Sequence, residues 1–192
     1  MLITGAARGI GAATAERLHE SGANVALVGL EPERLEALVA RLGERAEAFE
    51  ADVTDSAALD RAVSGAVERF GGIDIAVANA GIQFLGSLAG SPAEQVERTL
   101  EVNLLGVWRT DRAVLPHLLQ RRGYLLNIAS MAAVSHPPLL GAYAAAKAGV
   151  EALSDSMRVE LAPARTGSAA RTSASSTPTW CGPGSPTPPR AP

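Results

Sequence analysis

Cysteine is all but absent: Cys181 stands alone, so neither an intrachain disulfide nor a cysteine-built metal site can form. Long apolar runs are missing too, none reaching the roughly 18 residues that a membrane helix requires. Met1 leads straight into a glycine turn rather than into a cationic and then apolar leader, so a cytoplasmic protein with no membrane partner is expected. Basic clusters are confined to Arg121-Arg122, and with a formal charge of −3 the composition argues against nucleic acid as a partner. Aromatics amount to 4% of residues, and lysine occurs once, at Lys147, against sixteen arginines. What is present, 47% apolar and 19% charged residues, describes one soluble globular domain.

That domain does not fill the chain. Residues 164–192 hold half of the twelve prolines, five serines and five threonines, without a Leu, Ile, Val, Met, Asp or Glu. Such a segment cannot bury a core, so a domain over 1–163 and a disordered Pro/Ser/Thr-rich tail over 164–192 are expected. Before the boundary, short apolar runs read as buried strands at Leu2 to Thr4, Val25 to Val28, Ala46 to Phe49, Ile73 to Ala78 and Leu125 to Ile128. Helical periodicity fills the intervals: 9–21 with Ile10, Ala13 and Leu18 inward, 32–42, 56–70, a long helix over 92–121, and 141–162. This alternation predicts an α/β fold, a Rossmann-like doubly wound parallel sheet with helices on both faces in three layers. In such a sheet ligands sit at the carboxyl ends of the strands.

The first strand runs into Thr4-Gly5-Ala6-Ala7-Arg8-Gly9-Ile10-Gly11, three glycines opening a helix. Without side chains the backbone there turns sharply and approaches a pyrophosphate, whose charge suits a helix N-terminus. An ordinary tight strand-to-helix turn is the plainer alternative, and a strand before with a helix after favours dinucleotide binding. The second strand ends Val28-Gly29-Leu30-Glu31. A carboxylate at its tip would hold the ribose 2′-OH of NAD, and a cation the 2′-phosphate of NADP. Gly29 removes the carboxylate from the expected place and Arg8 is the one cation placed to meet a phosphate, so NADP is weakly preferred over NAD. Glu31 can still serve NAD, or simply open the next helix ahead of Pro32.

Lys147 follows Tyr143 by four residues. On a helix that spacing puts both on one face, and a nearby ammonium lowers the cost of a phenolate, fitting Tyr143 to exchange a proton with an alcohol or carbonyl. A helix-surface Lys beside a half-buried Tyr is the plainer reading of the pair alone. Taken with Ala78-Asn79-Ala80-Gly81, Asn103 and Ser130, the motifs over about 1–162 resemble the classical branch of the short-chain dehydrogenase/reductase family. The resemblance implies that Tyr143 is the general acid/base, that Lys147 lowers its pKa and binds the nicotinamide ribose, that Ser130 hydrogen-bonds the substrate oxygen, and that Asn103 holds a relay water. It further implies that Asp52-Val53 contacts the adenine and that Asn79-Ala80-Gly81 turns over the adenine ribose. Gly5, Arg8, Gly9, Ile10 and Gly11 then hold the phosphates of NAD or NADP, with no metal. Read without the family, Ser130 and Asp52 are simple turn formers, while Asn103 is a poor helix former inside a helical pattern and calls for a reason. His136-Pro137-Pro138, between Ser130 and Tyr143, reads as a stiff loop rather than a second acid/base.

The chain departs from the family at both ends. Only three residues precede the glycine turn, and after Pro163 neither a sixth nor a seventh strand, nor the loop whose Thr meets the nicotinamide amide, is recognisable. Arg171 to Cys181, read one base out of frame with suitable third bases, spells Tyr-Phe-Gly-Phe-Ile-Asp-Thr-Asp-Met-Val, which resembles the family at this point. A frameshift near residues 163 to 167 accounts for the tail, and a natural disordered tail is the alternative. The expected activity is hydride transfer between NAD(P) and a secondary alcohol or ketone. The other-class alternative is a truncated, inactive nucleotide-binding product. Phe84, Leu85, Leu88, Leu139 and Leu140 in the 83–92 and 131–141 loops favour an apolar small-molecule substrate. In the family the helices at 92–121 and 141–162 make a dimer or tetramer contact, so a homo-oligomer is expected of the intact enzyme.

Overall fold

The computed structural model describes residues 1–161 and the strand at 167–171. Six strands, β1 (Leu2–Thr4), β2 (Val25–Gly29), β3 (Ala46–Glu50), β4 (Ile75–Ala78), β5 (Tyr124–Ile128) and β6 (Gly167–Arg171), form one sheet in the order β3-β2-β1-β4-β5-β6. Every neighbouring pair is parallel. The order reverses between β1 and β4, and a crevice opens there beyond the strands' carboxyl ends.

The three layers follow from the two-residue period of the strands. Leu2, Val28, Ala76 and Leu125 face one core with Leu59 and Val63 of α3 (Ser56–Phe70) and Val114 and Leu118 of α5 (Gly106–Arg121). Their chain neighbours Ile3, Leu27 and Val77 face the other, with Ala15 of α1 (Gly9–Glu20) and Leu35 and Leu38 of α2 (Pro32–Leu42). Strands buried on both faces have no polar register to keep, which is why they read as unbroken apolar runs. Each fully buried Leu or Ile contributes about 2 kcal/mol of transfer free energy.

Three differences from the sequence reading have physical causes. In α1 the buried positions are Gly11 and Ala15, with Leu18 half-buried, whereas Ile10 is 60% exposed and Ala13 is exposed. The helix opens at the crevice, so its first turn has no layer to pack against. The expected helix over 92–121 is three pieces: α4 (Ala93–Leu100), a π turn (Glu101–Leu105) and α5. Third, β6 pairs with β5 along its whole length, from Tyr124 opposite Gly167 to Ile128 opposite Arg171, so the expectation that no strand follows Pro163 is corrected. Its residues Gly-Ser-Ala-Ala-Arg lack the apolar signature by which a parallel strand is recognised, but backbone pairing needs none. The rest of the expected tail lies outside the described residues, as does Cys181.

A short helix α6 (Ala132–Ser135) leads to α7 (Gly141–Leu161), whose buried Ala142, Ala144 and Ala146 let it approach its neighbours closely. Among the described residues no helix is long and apolar enough to cross a membrane.

Candidate active site

The crevice is closed at its base by two side chains. Thr4, the last residue of β1, accepts at Oγ1 from the backbone N–H groups of Asn79 (3.1 Å) and Ala80 (3.2 Å), just past β4. Asn79 returns two bonds from Nδ2, to the carbonyls of Thr4 (3.0 Å) and Gly5 (3.2 Å). The ends of β1 and β4 are thus latched together at the switch point. Thr4 was not singled out by sequence reasoning; its place at a strand's last residue, directly before Gly5, is the signal that could have found it.

Within this latch Gly5 and Gly11 have no room for a side chain. Gly5 sits at φ +64°, and a Cβ on it would lie 2.8 Å from Ala80 Cα. A Cβ on Gly11 would lie 2.6 Å from Asn79 Nδ2 and nearer still to the carbonyl oxygen of Gly5. Helix α1 starts at Gly9 after an extended Arg8, and no side chain caps it. Its first N–H groups face the crevice with the positive end of the helix dipole, a site suited to a pyrophosphate. Gly81 is likewise pressed on its far side, where a Cβ would stand 2.6 Å from Asn103 Oδ1.

Arg8, placed by sequence to meet a 2′-phosphate, is paired with Glu31 (Nε to Oε2, 3.2 Å), and Arg34 approaches the other Glu31 oxygen at 3.8 Å. One carboxylate therefore stands between two guanidiniums beyond the end of β2. These are exposed pairs, each of small net worth and readily exchanged for another partner.

Past β3, Asp52 makes a turn, accepting from Thr54 N at 2.8 Å, and Arg98 of α4 reaches it at 3.2 Å. Burial alone would raise the Asp52 pKa, but the hydrogen bonds from Thr54 and Arg98 outweigh it and hold it below the usual carboxylate range. The simple turn-forming role is therefore real, and Asp52 also lies at the crevice rim. Arg98, which ties α4 to this rim, carries no sequence signal because it lies 46 residues away. Val53 buries its side chain in the core.

Asn103 has the reason its position demanded. It lies in the π turn, wholly buried, with Oδ1 accepting from Ile82 N (3.0 Å) and Nδ2 donating to the carbonyls of Ile82 (2.8 Å) and Thr99 (2.9 Å). An amide side chain bridging helix to loop matches both backbone groups of Ile82 at once, and π turns mark such interruptions. Replacing Asn103 with Ala strands the Ile82 pair, and a loss of about 2–3 kcal/mol is expected at roughly 1 kcal/mol per bond. Urea unfolding of the variant measures it; a loss below about 0.5 kcal/mol, the level of an ordinary surface change, would show the bridge to be idle.

Opposite Asn103, β5 and α7 bring the remaining groups together. Lys147 is 3% exposed, donates from Nζ to the carbonyl of Ile128 at 2.7 Å, and lies 5.9 Å from the centre of the Tyr143 ring. Burial lowers its pKa to about 8, so near neutral pH it keeps its charge. Ser130, two residues beyond Ile128, accepts at Oγ from Ala132 N at 3.2 Å, which leaves its hydroxyl hydrogen to be donated elsewhere. His136 is exposed at φ +45°, its N–H closing α6 on Ala132, in keeping with a stiff loop. The 83–92 and 131–141 loops meet through Gly86 N and the Leu139 carbonyl (2.9 Å). Around that meeting Leu85, Leu88, Met131, Val134 and Leu139 are exposed.

A glycine turn at the strand switch point thus shares the sheet's carboxyl side with a buried ammonium beside a tyrosine ring. Residues 1–170 match the family model of short chain dehydrogenases. The chain belongs to the short chain dehydrogenase family. This short chain dehydrogenase is 40% identical over 164 residues to 2,3-dihydro-2,3-dihydroxybenzoate dehydrogenase of Bacillus subtilis, covering 83% of this chain and 63% of that one. Among solved structures it superposes with a TM-score of 0.83 and 33% identity on 3-ketoacyl-(acyl-carrier-protein) reductase from Brucella melitensis in complex with NADH, covering 89% of this chain and 72% of the other. An alcohol dehydrogenase from Thermococcus sibiricus in complex with 5-hydroxy-NADP gives 0.80 and 34%, over 83% and 69%. A Rossmann-like oxidoreductase dependent on NAD(P) is what these likenesses establish.

Proposed function

We propose that the enzyme interconverts a secondary alcohol and a ketone, with Tyr143, Lys147, Ser130 and Asn103 as its working groups. The observation that carries this reading is the buried Lys147 ammonium, anchored on the Ile128 carbonyl and facing the Tyr143 ring. Such a charge has no structural need that a neutral side chain would not meet better, since burying it costs free energy. Beside that ammonium, the Tyr143 phenol gives its proton to a ketone oxygen on reduction and recovers it from an alcohol on oxidation. Ser130 donates its hydroxyl hydrogen to the same substrate oxygen. Both amide hydrogens of Asn103 are committed, so a relay water there is held at an acceptor. Gly5, Arg8, Gly9, Ile10 and Gly11, with Asp52, Val53, Asn79, Ala80 and Gly81, would hold NAD(P), which in its reduced form would supply the hydride to the ketone and in its oxidised form would accept it from the alcohol.

The apolar rim made by Leu85, Leu88, Val134 and Leu139 supports an apolar substrate, and the loops 83–92 and 131–141 contain no Asp, Glu, Lys or Arg. The exposed Leu105, Trp108 and Val159 on the helices at 92–121 and 141–162 support a homo-oligomer of the intact enzyme. A cytoplasmic setting belongs to the same proposal, as does a domain boundary beyond β6 rather than at 163, since β6 pairs with β5. Quenching or enhancement of added NADPH fluorescence, followed by its oxidation with a panel of ketones, tests the reading. Binding without oxidation of any of them favours the inactive nucleotide-binding product instead.

For cofactor choice, Glu31 is the arbiter. Its carboxylate can accept the 2′-OH of NAD, whereas a 2′-phosphate must displace it from Arg8 and Arg34, leaving two guanidiniums for NADP. Glu31→Gln is expected to shift the NADPH to NADH affinity ratio about tenfold toward NADPH, the equivalent of about 1.4 kcal/mol. Fluorescence titration of both cofactors measures this, and an unchanged ratio removes Glu31 from the 2′ site.

A further inference from the structure

Behind the site, a polar cluster is sealed inside the sheet-helix layer. Asp111 of α5, Asn127 of β5 and Ser154 of α7 are each no more than 1% exposed. Asn127 donates from Nδ2 to Asp111 Oδ2 (2.9 Å) and to Ser154 Oγ (3.0 Å), while Ser154 spends its own hydrogen on the Val150 carbonyl (2.7 Å). This fixes the direction of every bond, because the serine has no second hydrogen to give. Two acceptors of the bonded pair then stay without a partner among the described residues: Asp111 Oδ1 and Asn127 Oδ1. A buried carboxylate with an empty oxygen, beside an amide with an empty oxygen, is a costly arrangement twice over.

One proton resolves both. We infer that Asp111 is a neutral carboxylic acid in the folded protein, donating from Oδ1 to Asn127 Oδ1, so that acid and amide form a two-bond clamp between α5 and β5.

Among the described residues no charged side chain pairs with Asp111, and Arg109, whose buried Nη1 has no partner, meets Glu101 through Nη2. On α3 Asp60 is taken by Arg112, and on the π turn Glu101 is taken by Arg109. Strand β4 has no charged side chain, and the titratable residue of β5, Tyr124, lies at its opposite end. On α7 Lys147 is committed to Ile128, and Asp155 to Arg158. Burial, opposed only by the bond from Asn127, pushes the Asp111 pKa up to about 7.

The clamp bears on the active site through one peptide. Asn127 immediately precedes Ile128, whose carbonyl holds Lys147, and Ser130 follows two residues later. Asp111 is therefore a positioning residue, and this part of the inference rests on the proposed roles of Lys147 and Ser130. Losing the proton turns Oδ1 from donor to acceptor and opens the clamp on the side that steadies β5.

Asp111→Asn is the decisive variant, because its amide can donate to Asn127 Oδ1 and accept from Asn127 Nδ2 as the neutral acid does. The folded pKa lies above the unfolded value of 3.8, so the wild-type contribution is full below about 4 and is lost as pH rises toward about 7. Relative to Asp111→Asn, the wild-type folding constant is expected to fall with pH in that window, by up to about tenfold per unit. Urea unfolding of both proteins from pH 4.5 to 8.5 reads this difference. A difference that is flat with pH overturns the neutral acid.

Should the variant fail to fold, infrared spectra of wild-type protein with 13C-labelled aspartate decide the same point. A protonated aspartate carbonyl band persisting at pH 6, where exposed aspartates are ionised, is expected, and its absence overturns the proposal. For the positioning role, kcat of Asp111→Asn is expected to hold its plateau to higher pH than wild type with KM unchanged; coincident profiles overturn that role. The unfolding and infrared measurements use no activity, so they stand apart from any failure of the Tyr143 mechanism.

Discussion

Tyr143→Phe is expected to lower kcat by about 10²–10⁴-fold, the usual worth of a positioned general acid. The ring, half-buried on α7 beside Lys147, stays in place. Only the phenolic hydrogen and oxygen are lost, so NADPH affinity is expected to change less than about twofold, a loss expressed in the transition state alone. Stopped-flow or steady-state turnover with a competent ketone, alongside fluorescence titration of NADPH, separates the two quantities. Undiminished turnover would put the proton on another group and end the mechanism proposed above. Loss of both turnover and binding, together with a lowered melting temperature, would mean that the substitution had disturbed α7.

Gly11→Ala carries the largest expected effect on the fold. Its methyl group would meet the Gly5 carbonyl oxygen and, at 2.6 Å, Asn79 Nδ2. Neither can yield cheaply: Gly5 is backbone, and Asn79 Nδ2 is already bonded to the Thr4 and Gly5 carbonyls. Overpacking costs about 1–3 kcal/mol where side chains can shift, and backbone leaves the upper end as the expectation. A loss of about 3 kcal/mol corresponds to about 6–12 °C in Tm for a domain of this size. Because relief requires opening the turn itself, nucleotide binding should fall with stability. Gly9→Ala is the comparison: its φ of +58° strains any side chain, but nothing lies within 4 Å of a Cβ there. It should cost only about 1–2 kcal/mol. Equal effects at the two positions would mean that conformation, not close approach, is what the glycines provide.

How much of the site could be read beforehand depended on whether its parts are neighbours in sequence. The glycine turn, the Tyr143 to Lys147 spacing and the Asn79-Ala80-Gly81 turn are local, so their periodicity and composition showed where they lie. Ion pairs across the crevice are not local. Arg8 reads as a free cation until Glu31, at the end of a different strand, is seen beside it. Arg98 and Thr4 likewise acquire meaning only from partners 46 and 75 residues away. Ile10 fits an inward position by type, but lies where the layer above α1 has ended.

The sequence by itself determined the architecture, because strands buried on both faces must be continuously apolar and their helices must carry a 3.6-residue stripe, and both patterns survive in the one-dimensional record. It also determined the chemistry of the groups available, since one lysine four residues from a tyrosine on a helix can only share a face. Tertiary structure alone decided which charges are spent and which are available, where the long helix breaks into a π turn around Asn103, and that an alanine-rich segment completes the sheet as β6. Those outcomes depend on distances between residues far apart in the chain, and on backbone hydrogen bonds that any side chain permits, so no local pattern encodes them.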